Sequence, residues 1–374
     1  MRAARHPLNM MQVLSCNAAY NEGGLGKHLR FLVEAARSTE TLGCYYASRK
    51  KPNDAQGQEI SLNRFRRLFR VPPLRYSLSW REFLSADLFD RAVAQRLAHA
   101  EVLHGFSGRA QHSFNRVRKL KYQHLRLESP TTHIANVRRQ HLKASQAFPI
   151  EKSWLNRSHA KKILLEYETA DLIYVHSEYS RETYLAAGVP ESKLRRHVLA
   201  AESRFAPPIR DFQSDGFTIV YVGRLQVSKG VPVLLEAFKR LEHQDAELIL
   251  VGGCGSEAME RYLRKYLAAD RRIKIRNGDP LPYLHRADVL VHPSFEDGLG
   301  LAPLEALACG VPVIVTEDTG MKEYVKHGRN GYILPTGDID ALVDQLRAIR
   351  SRPLKGPFFP VLNAKGASGL PSAC

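Results

Sequence analysis

The sequence has no long apolar run. Its longest apolar region, Leu299 to Val315, is interrupted by Pro303, Glu305, Gly310 and Pro312, so nothing approaches the roughly twenty uninterrupted residues a membrane-spanning helix requires. The basic N-terminus, MRAARHPLNMMQVLS, lacks the apolar core of a secretory signal. Cysteine is scarce. Cys16, Cys44, Cys254, Cys309 and Cys374 are odd in number and widely scattered, which argues against a disulfide framework and fits a reducing cytoplasm. Neither CxxC nor HExxH occurs, so local spacing signals no zinc site and no metal is expected. Zinc-finger, RNP-like and helix–turn–helix signatures are missing too, which argues against a nucleic-acid partner. Acidic residues are short in one half only. Residues 1–210 carry 35 Lys and Arg against 18 Asp and Glu, whereas residues 211–374 carry 20 of each. A solvated basic face is one reading of this split. Its one-sidedness favours the other, an anionic partner for the N-terminal half such as lipid head groups or a phosphorylated acceptor.

What is present is a regular alternation of apolar strands and helical segments. In the C-terminal half FTIVYVG (217–223), ELILVGG (247–253), IKI (273–275), DVLVHPS (288–294), VPVIVT (311–316) and GYILP (331–335) read as strands, each followed by a helix-like stretch. Near-continuous apolar strands alternating with helices mean a parallel sheet covered on both faces. The N-terminal half repeats the theme through MQVLSC (11–16), the helix 27–37, LGCYYAS (42–48), the helix 80–100, EVLHGF (101–106), LRLES (125–129), DLIYVHS (171–177) and the helix 178–188. Residues 49–76 are basic and irregular. The fold class expected is α/β, with two doubly wound Rossmann-like domains at 1–208 and 209–350 joined by a linker near 205–216. A Pro- and Gly-rich tail at 351–374 is expected to be disordered.

Three stretches offer chemistry. NEGGLGKHL (21–29) places Gly23, Gly24 and Gly26 between a strand and a helix, where backbone N–H groups meet anions. It is not a dinucleotide fingerprint, because Leu29 stands at the last glycine position, and it is not a P-loop, because His28 follows Lys27. A plain tight turn is the alternative. GRLQVSKG (223–230) puts Arg224 and Lys229 at a strand's C-terminal edge, where ligands bind in open α/β sheets, and two cations there suit a diphosphate. SFEDGLGLAPLEALACG (294–310) brings Glu296, Asp297 and Glu305 around Gly298, Leu299 and Gly300. Its helix is read as starting near Ala302, with Pro303 and Glu305 in the first turn. A capping box is unsupported, since Ala302 has no side-chain oxygen.

Taken in order, GGLGKHL, GRLQVSKG, EDGLGLAPLEALACGVPVI and GYILPTGD resemble the retaining family-four glycosyltransferases of the two-Rossmann, GT-B, type, over most of residues 10–350. The resemblance implies a paired-acid motif in which counting back from Glu305 lands on Asp297, not Glu296. Asp297 would contact hydroxyls of the donor sugar, one methylene shorter than the Glu usual there. Glu305 would hold the nucleotide ribose, Arg224 and Lys229 the diphosphate, and Gly298, Leu299 and Gly300 the donor-facing turn. Gly23, Gly24 and Gly26 would line the cleft opposite. A histidine at the end of an N-domain strand contacts the donor sugar in this family. His104 is the best match and His133 its rival.

The expected activity is transfer of a sugar from a nucleoside-diphosphate sugar to a glycan or lipid-linked acceptor, with retention. It needs no cofactor and no metal ion, and belongs to cell-surface polysaccharide or glycolipid synthesis. NRFRRLFRVPP, with Arg64, Arg66, Arg67 and Arg70 among Phe65, Leu68 and Phe69, reads as an amphipathic patch for an anionic membrane or as a helix with one wet basic side. The expected location is the cytoplasm, peripheral to the inner face of the membrane. The alternatives are an inactive GT-B scaffold that only binds, or a sugar-phosphate phosphorylase or synthase on the same fold.

Overall fold

The computed structural model describes residues 10–65, 67–72, 74–120, 122–208, 216–354 and 356. They form two compact units. The first takes the described residues up to Arg138, then Lys152–His176 and Arg181–His197. The second takes Arg139–Glu151, Ser177–Ser180 and the described residues from Val198 onward. The extreme N-terminus lies outside the described residues, as do most of the expected linker and most of the expected tail.

The first unit carries strands β1 (Gln12–Ala19), β2 (Leu42–Arg49), β3 (Gly57–Glu59), β4 (Val102–Phe106), β5 (His124–Glu128), β6 (Leu172–Val175) and β7 (Leu194–Arg196). Its helices are α1 (Gly23–Ser38), α2 (Leu78–Arg96), α3 (Gln111–Val117) and α5 (Arg157–Thr169), while α4 (Ile134–Ala147) and α6 (Glu178–Ala186) begin or end in segments grouped with the second unit. All seven strands are parallel, in the order β3-β2-β1-β4-β5-β6-β7. One face packs Phe89, Val93, Leu103, Phe114, Leu127, Ile163 and Ile173, and the other packs Leu14, Leu29, Val33, Tyr45 and Phe106. This is the two-sided burial that near-continuous apolar strands require.

The second unit carries β8 (Phe217–Val222), β9 (Ala246–Val251), β10 (Ile273–Arg276), β11 (Val289–His292), β12 (Val313–Thr316) and β13 (Gly331–Leu334). They are again all parallel, in the order β10-β9-β8-β11-β12-β13. Helices α7 (Val231–Lys239), α8 (Glu257–Ala269), α9 (Leu281–Leu284), α10 (Leu301–Ala308) and α11 (Ile339–Ser351) connect them. Ser256 caps α8 by accepting from the Met259 N–H, and Asp338 caps α11 by accepting from the Ala341 N–H. Strand order reverses between β1 and β4 and between β8 and β11, so each sheet has a topological switch point, the place where ligands bind in open α/β sheets.

Several local expectations change. Residues 23–26 are the first turn of α1, not a turn before it, because the helix starts at Gly23. A Cβ at Gly26 would collide with the Ala19 carbonyl, so the close approach of helix to strand demands glycine there. The irregular segment 49–76 contains β3 and short 3₁₀ turns at Asn63–Phe65, Leu68–Arg70 and Leu74–Tyr76. Residues 63–70 therefore form no continuous amphipathic helix among the described residues; Arg66 lies outside them. Residues 320–323 form one 3₁₀ turn rather than a full helix. No described helix is long and apolar enough to cross a membrane. Cys16, Cys44, Cys254 and Cys309 are free thiols.

Candidate functional site

The switch point of the second sheet brings two loops side by side, at the C-terminal ends of the neighbouring strands β8 and β11. The first loop runs through Gly223, Arg224 and a 3₁₀ turn at Val227–Lys229, and ends at Gly230 with φ of 71°. A side chain at Gly230 would strike the Pro293 carbonyl, so glycine here lets one loop lie directly on the other. The second loop is pinned in several ways. The Phe295 N–H donates to the Ser228 carbonyl at 2.9 Å. The Ser294 hydroxyl donates to the Glu296 carbonyl at 2.7 Å, and the Thr316 hydroxyl donates to the Ser294 carbonyl at 2.5 Å. Ser177 donates its hydroxyl to the Gly298 carbonyl at 2.5 Å.

At the centre, Lys229 Nζ donates to Asp297 Oδ2 at 2.8 Å and to the Glu296 carbonyl at 3.0 Å. His292 Nε2 lies 3.2 Å from the same Asp297 oxygen. Burial alone would raise the Asp297 pKa, but Lys229 and His292 outweigh it and hold the carboxylate well below its usual range. Burial likewise works against the Lys229 cation, and the Asp297 and Glu296 carboxylates outweigh it, so Lys229 is shifted upward. Both groups are therefore charged at neutral pH. Glu296 is 2% exposed, whereas the Asp297 side chain keeps 19%. Of the two adjacent acids, Asp297 is the one with solvent access. Arg224 is exposed on the same loop as Lys229.

Helix α10 starts at Leu301 with Gly300 at its cap, φ 97°, and no side-chain cap hydrogen bond. This moves the start by one residue: Ala302 is the second helical residue, not the cap. Glu305 falls in the second turn rather than the first, and is buried. Its value to the helix dipole is thereby reduced, which removes the simplest structural reason for an acid at that position. The uncapped N–H groups that follow Gly298, Leu299 and Gly300 remain a physical anion site.

The first unit holds the other candidates. Gly23 has φ of 59°, and at Gly23 and Gly24 an added Cβ would meet nothing within 4 Å, so open space adjoins the start of α1. His104 sits on β4, 4% exposed, with Nε2 at 2.7 Å from Glu128 Oε2, and burial lowers its pKa despite that carboxylate. His133 immediately precedes α4, packs against Tyr167 and Tyr184, and is lowered by burial to about 4.

Three participants escaped sequence reading. His292, at the last position of β11, reads there only as a strand residue. Glu151, remote in sequence, accepts from the Val227 N–H at 2.8 Å and from the Ser256 hydroxyl, and so fixes the Lys229 loop. His141 is buried and near enough to Lys229 to feel its charge; burial first, and then Lys229, lowers its pKa to about 3.

Residues 203–355 match the family described as glycosyl transferases group 1. The chain is 33% identical over 194 residues to an uncharacterized glycosyltransferase, MJ1607, of Methanocaldococcus jannaschii, covering 46% of this chain and 49% of that protein. It is 27% identical over 213 residues to the amylovoran biosynthesis glycosyltransferase AmsK of Erwinia amylovora, covering 52% and 51%. The chain thus spans about half the length of these curated relatives. A crystal structure of Anabaena HepE in complex with UDP-glucose superposes with a TM-score of 0.65 at 16% identity, over 91% of this chain and 90% of that one. That likeness is one of fold.

Proposed function

We propose, for a chain that belongs to the group 1 glycosyl transferases of the GT-B, family-four type, that it moves a sugar from a nucleoside-diphosphate sugar to a glycan or lipid-linked acceptor with retention of configuration. One observation carries the donor reading: Lys229 is held at 2.8 Å from Asp297, beside the uncapped start of α10, at the sheet's switch point. A fixed cation next to free N–H groups suits a diphosphate, and an adjacent carboxylate suits sugar hydroxyls. HepE, a structural neighbour, was solved with UDP-glucose, which makes a uridine donor the first to test.

The reaction breaks the bond between the anomeric carbon and the β-phosphate oxygen, which keeps the electron pair. Arg224, Lys229 and the N–H groups of Leu301 and Ala302 stabilise the charge building on that oxygen. Asp297 orients the sugar and Glu305 the ribose. The acceptor hydroxyl attacks the anomeric carbon from the face the phosphate leaves and passes its proton to the departing phosphate oxygen. The protein supplies its own cations for this step, so no added divalent ion is required.

The acceptor is engaged by the basic first unit. Val71, Tyr76 and Trp80 are among the exposed large hydrophobics, next in sequence to Arg67, Arg70 and Arg75. Interleaved cations and exposed apolar groups suit an anionic lipid surface, with each cation adding about 1 kcal/mol. AmsK, a relative, is named for amylovoran biosynthesis, which supports a place in polysaccharide synthesis. The test combines a melting-temperature screen of sugar nucleotides against sugar phosphates with product analysis by anomeric NMR in buffer lacking Mg²⁺ and Mn²⁺. Stabilisation by sugar nucleotide and an axial-to-axial product are expected. A response to sugar phosphate alone points to a phosphorylase, inversion removes the retaining mechanism, and a requirement for millimolar Mn²⁺ removes the metal-free step. Equal sedimentation with anionic and neutral vesicles removes the membrane role.

A further inference from the structure

We propose that the first unit binds a divalent metal ion, zinc by the chemistry of its donors, through His28, Glu128, His176 and His197. This proposal does not depend on the transfer reaction. Glu128 ends β5, His176 directly follows β6 and His197 directly follows β7, so three adjacent parallel strands deliver them to one sheet edge. His28 comes from α1. Glu128 Oε1 lies 3.1 Å from His28 Nε2, 3.1 Å from His197 Nδ1 and 3.3 Å from His176 Nε2. All four donor atoms fall within 4.8 Å of one another.

These separations have the scale of a coordination shell. Ligands about 2.0–2.1 Å from a tetrahedral zinc are about 3.4 Å from each other, so the three distances to Glu128 already have that scale, and the wider gaps, up to 4.8 Å, close by about 1.4 Å on binding.

The hydrogen-bond pattern also asks for a cation. His176 Nδ1 lies 3.1 Å from the His197 carbonyl. A carbonyl only accepts, so Nδ1 carries the proton and the neutral ring turns the Nε2 lone pair toward Glu128. A lone pair facing a carboxylate oxygen in the interior is repulsive unless a positive ion lies between them. His176 Nε2 and His28 Nε2 are both buried and, although Glu128 Oε1 is their near neighbour, neither makes an aligned hydrogen bond, and buried polar atoms in that condition call for an explanation. The other Glu128 oxygen is held by His104, as an outer group that orients a ligating carboxylate. Three imidazoles and one carboxylate suit zinc better than calcium or magnesium, which prefer oxygen shells. His28, Glu128 and His176 have almost no solvent access and His197 keeps 20%; four protein donors fill a tetrahedral shell, so the ion would tie β5, β6 and β7 to α1.

The experiment uses the full chain purified without a histidine tag. Metal content is measured by plasma mass spectrometry, and Zn²⁺ and Co²⁺ are titrated into protein stripped with dipicolinate. The expected result is about one ion per chain, Zn²⁺ binding with Kd below about 1 µM, and tetrahedral Co²⁺ absorption bands. His176→Asn and Glu128→Gln should each weaken binding at least about tenfold, while His112→Asn, whose ring pairs with Asp87, leaves it unchanged. A higher melting temperature of the wild-type chain with Zn²⁺ than after stripping supports the proposal even if a variant fails to fold. Absence of saturable binding below about 10 µM, or tight binding that survives in folded His176→Asn, overturns it and leaves the cluster as a hydrogen-bonded hub.

Discussion

Replacing Lys229 with Ala probes the candidate donor site at its centre. The Lys229–Asp297 contact at 2.8 Å has a gross Coulomb energy of about 6 kcal/mol at an effective dielectric of 20. Solvent reaches 24% of one side chain and 19% of the other, and His292 remains beside Asp297, so most of that energy is screened or replaced. The net loss expected is about 2 kcal/mol, or roughly 4–8 °C in melting temperature. A double-mutant cycle with Asp297→Asn should give a coupling of about 1–2 kcal/mol. In calorimetric titration with UDP as the probe, loss of one charge-assisted phosphate contact should weaken binding roughly tenfold to a hundredfold. Asp297→Asn should weaken UDP-glucose more than UDP. The reasoning is refuted if Lys229→Ala leaves both stability and UDP affinity within error, because the pair would then be a surface contact.

Two further outcomes follow from burial. Gly230→Ala forces a left-handed residue against the Pro293 carbonyl and should cost about 3 kcal/mol or more in urea unfolding, whereas Gly253→Ala, where a Cβ meets nothing within 4 Å, should stay near wild type. Burial lowers His133 to about 4, and burial aided by nearby cations lowers His141 and His159 to about 3. The unfolded chain, with histidines near 6.5, therefore binds more protons than the folded one below that pH. Stability should be full above pH 6.5 and fall toward pH 4, on the order of 1 kcal/mol per pH unit for each group. A urea midpoint that is flat or rises on acidification between pH 6.5 and 4.5 contradicts this.

The sheets were legible because buried parallel strands such as FTIVYV and VLVH are almost wholly apolar, and because Gly and Pro punctuate the segments between them. Helices α3 to α5 were not. Their residues include Asn, Arg, Gln and His, and no apolar stripe stands out in QHSFNRV or IANVRRQHLKASQA. Cap positions shifted for a physical reason: Gly300 and Glu22 start helices without side-chain caps, so the usual Ser, Thr or Asp signal is missing. The placing of Lys229 and Asp297 on loops after strands, with Glu305 close behind on α10, was legible because short motifs carry them at fixed offsets. His292 and Glu151 were not, since their roles depend on tertiary contacts. The histidines around Glu128 were hidden most completely, because Glu128 and the histidines near it are supplied by separate elements between residues 28 and 197, and no local spacing encodes them.

The central claim is that one nucleoside-diphosphate sugar is held by Glu305 and by the loops carrying Lys229 and Asp297. It is tested most directly by a thermal-shift screen of nucleoside-diphosphate sugars on the wild-type chain and on Glu305→Ala. A saturable upward shift with one such donor on the wild type, lost or weakened at least about tenfold in the folded variant, is the predicted result. An equal shift in both proteins, or no shift with any donor, contradicts the account.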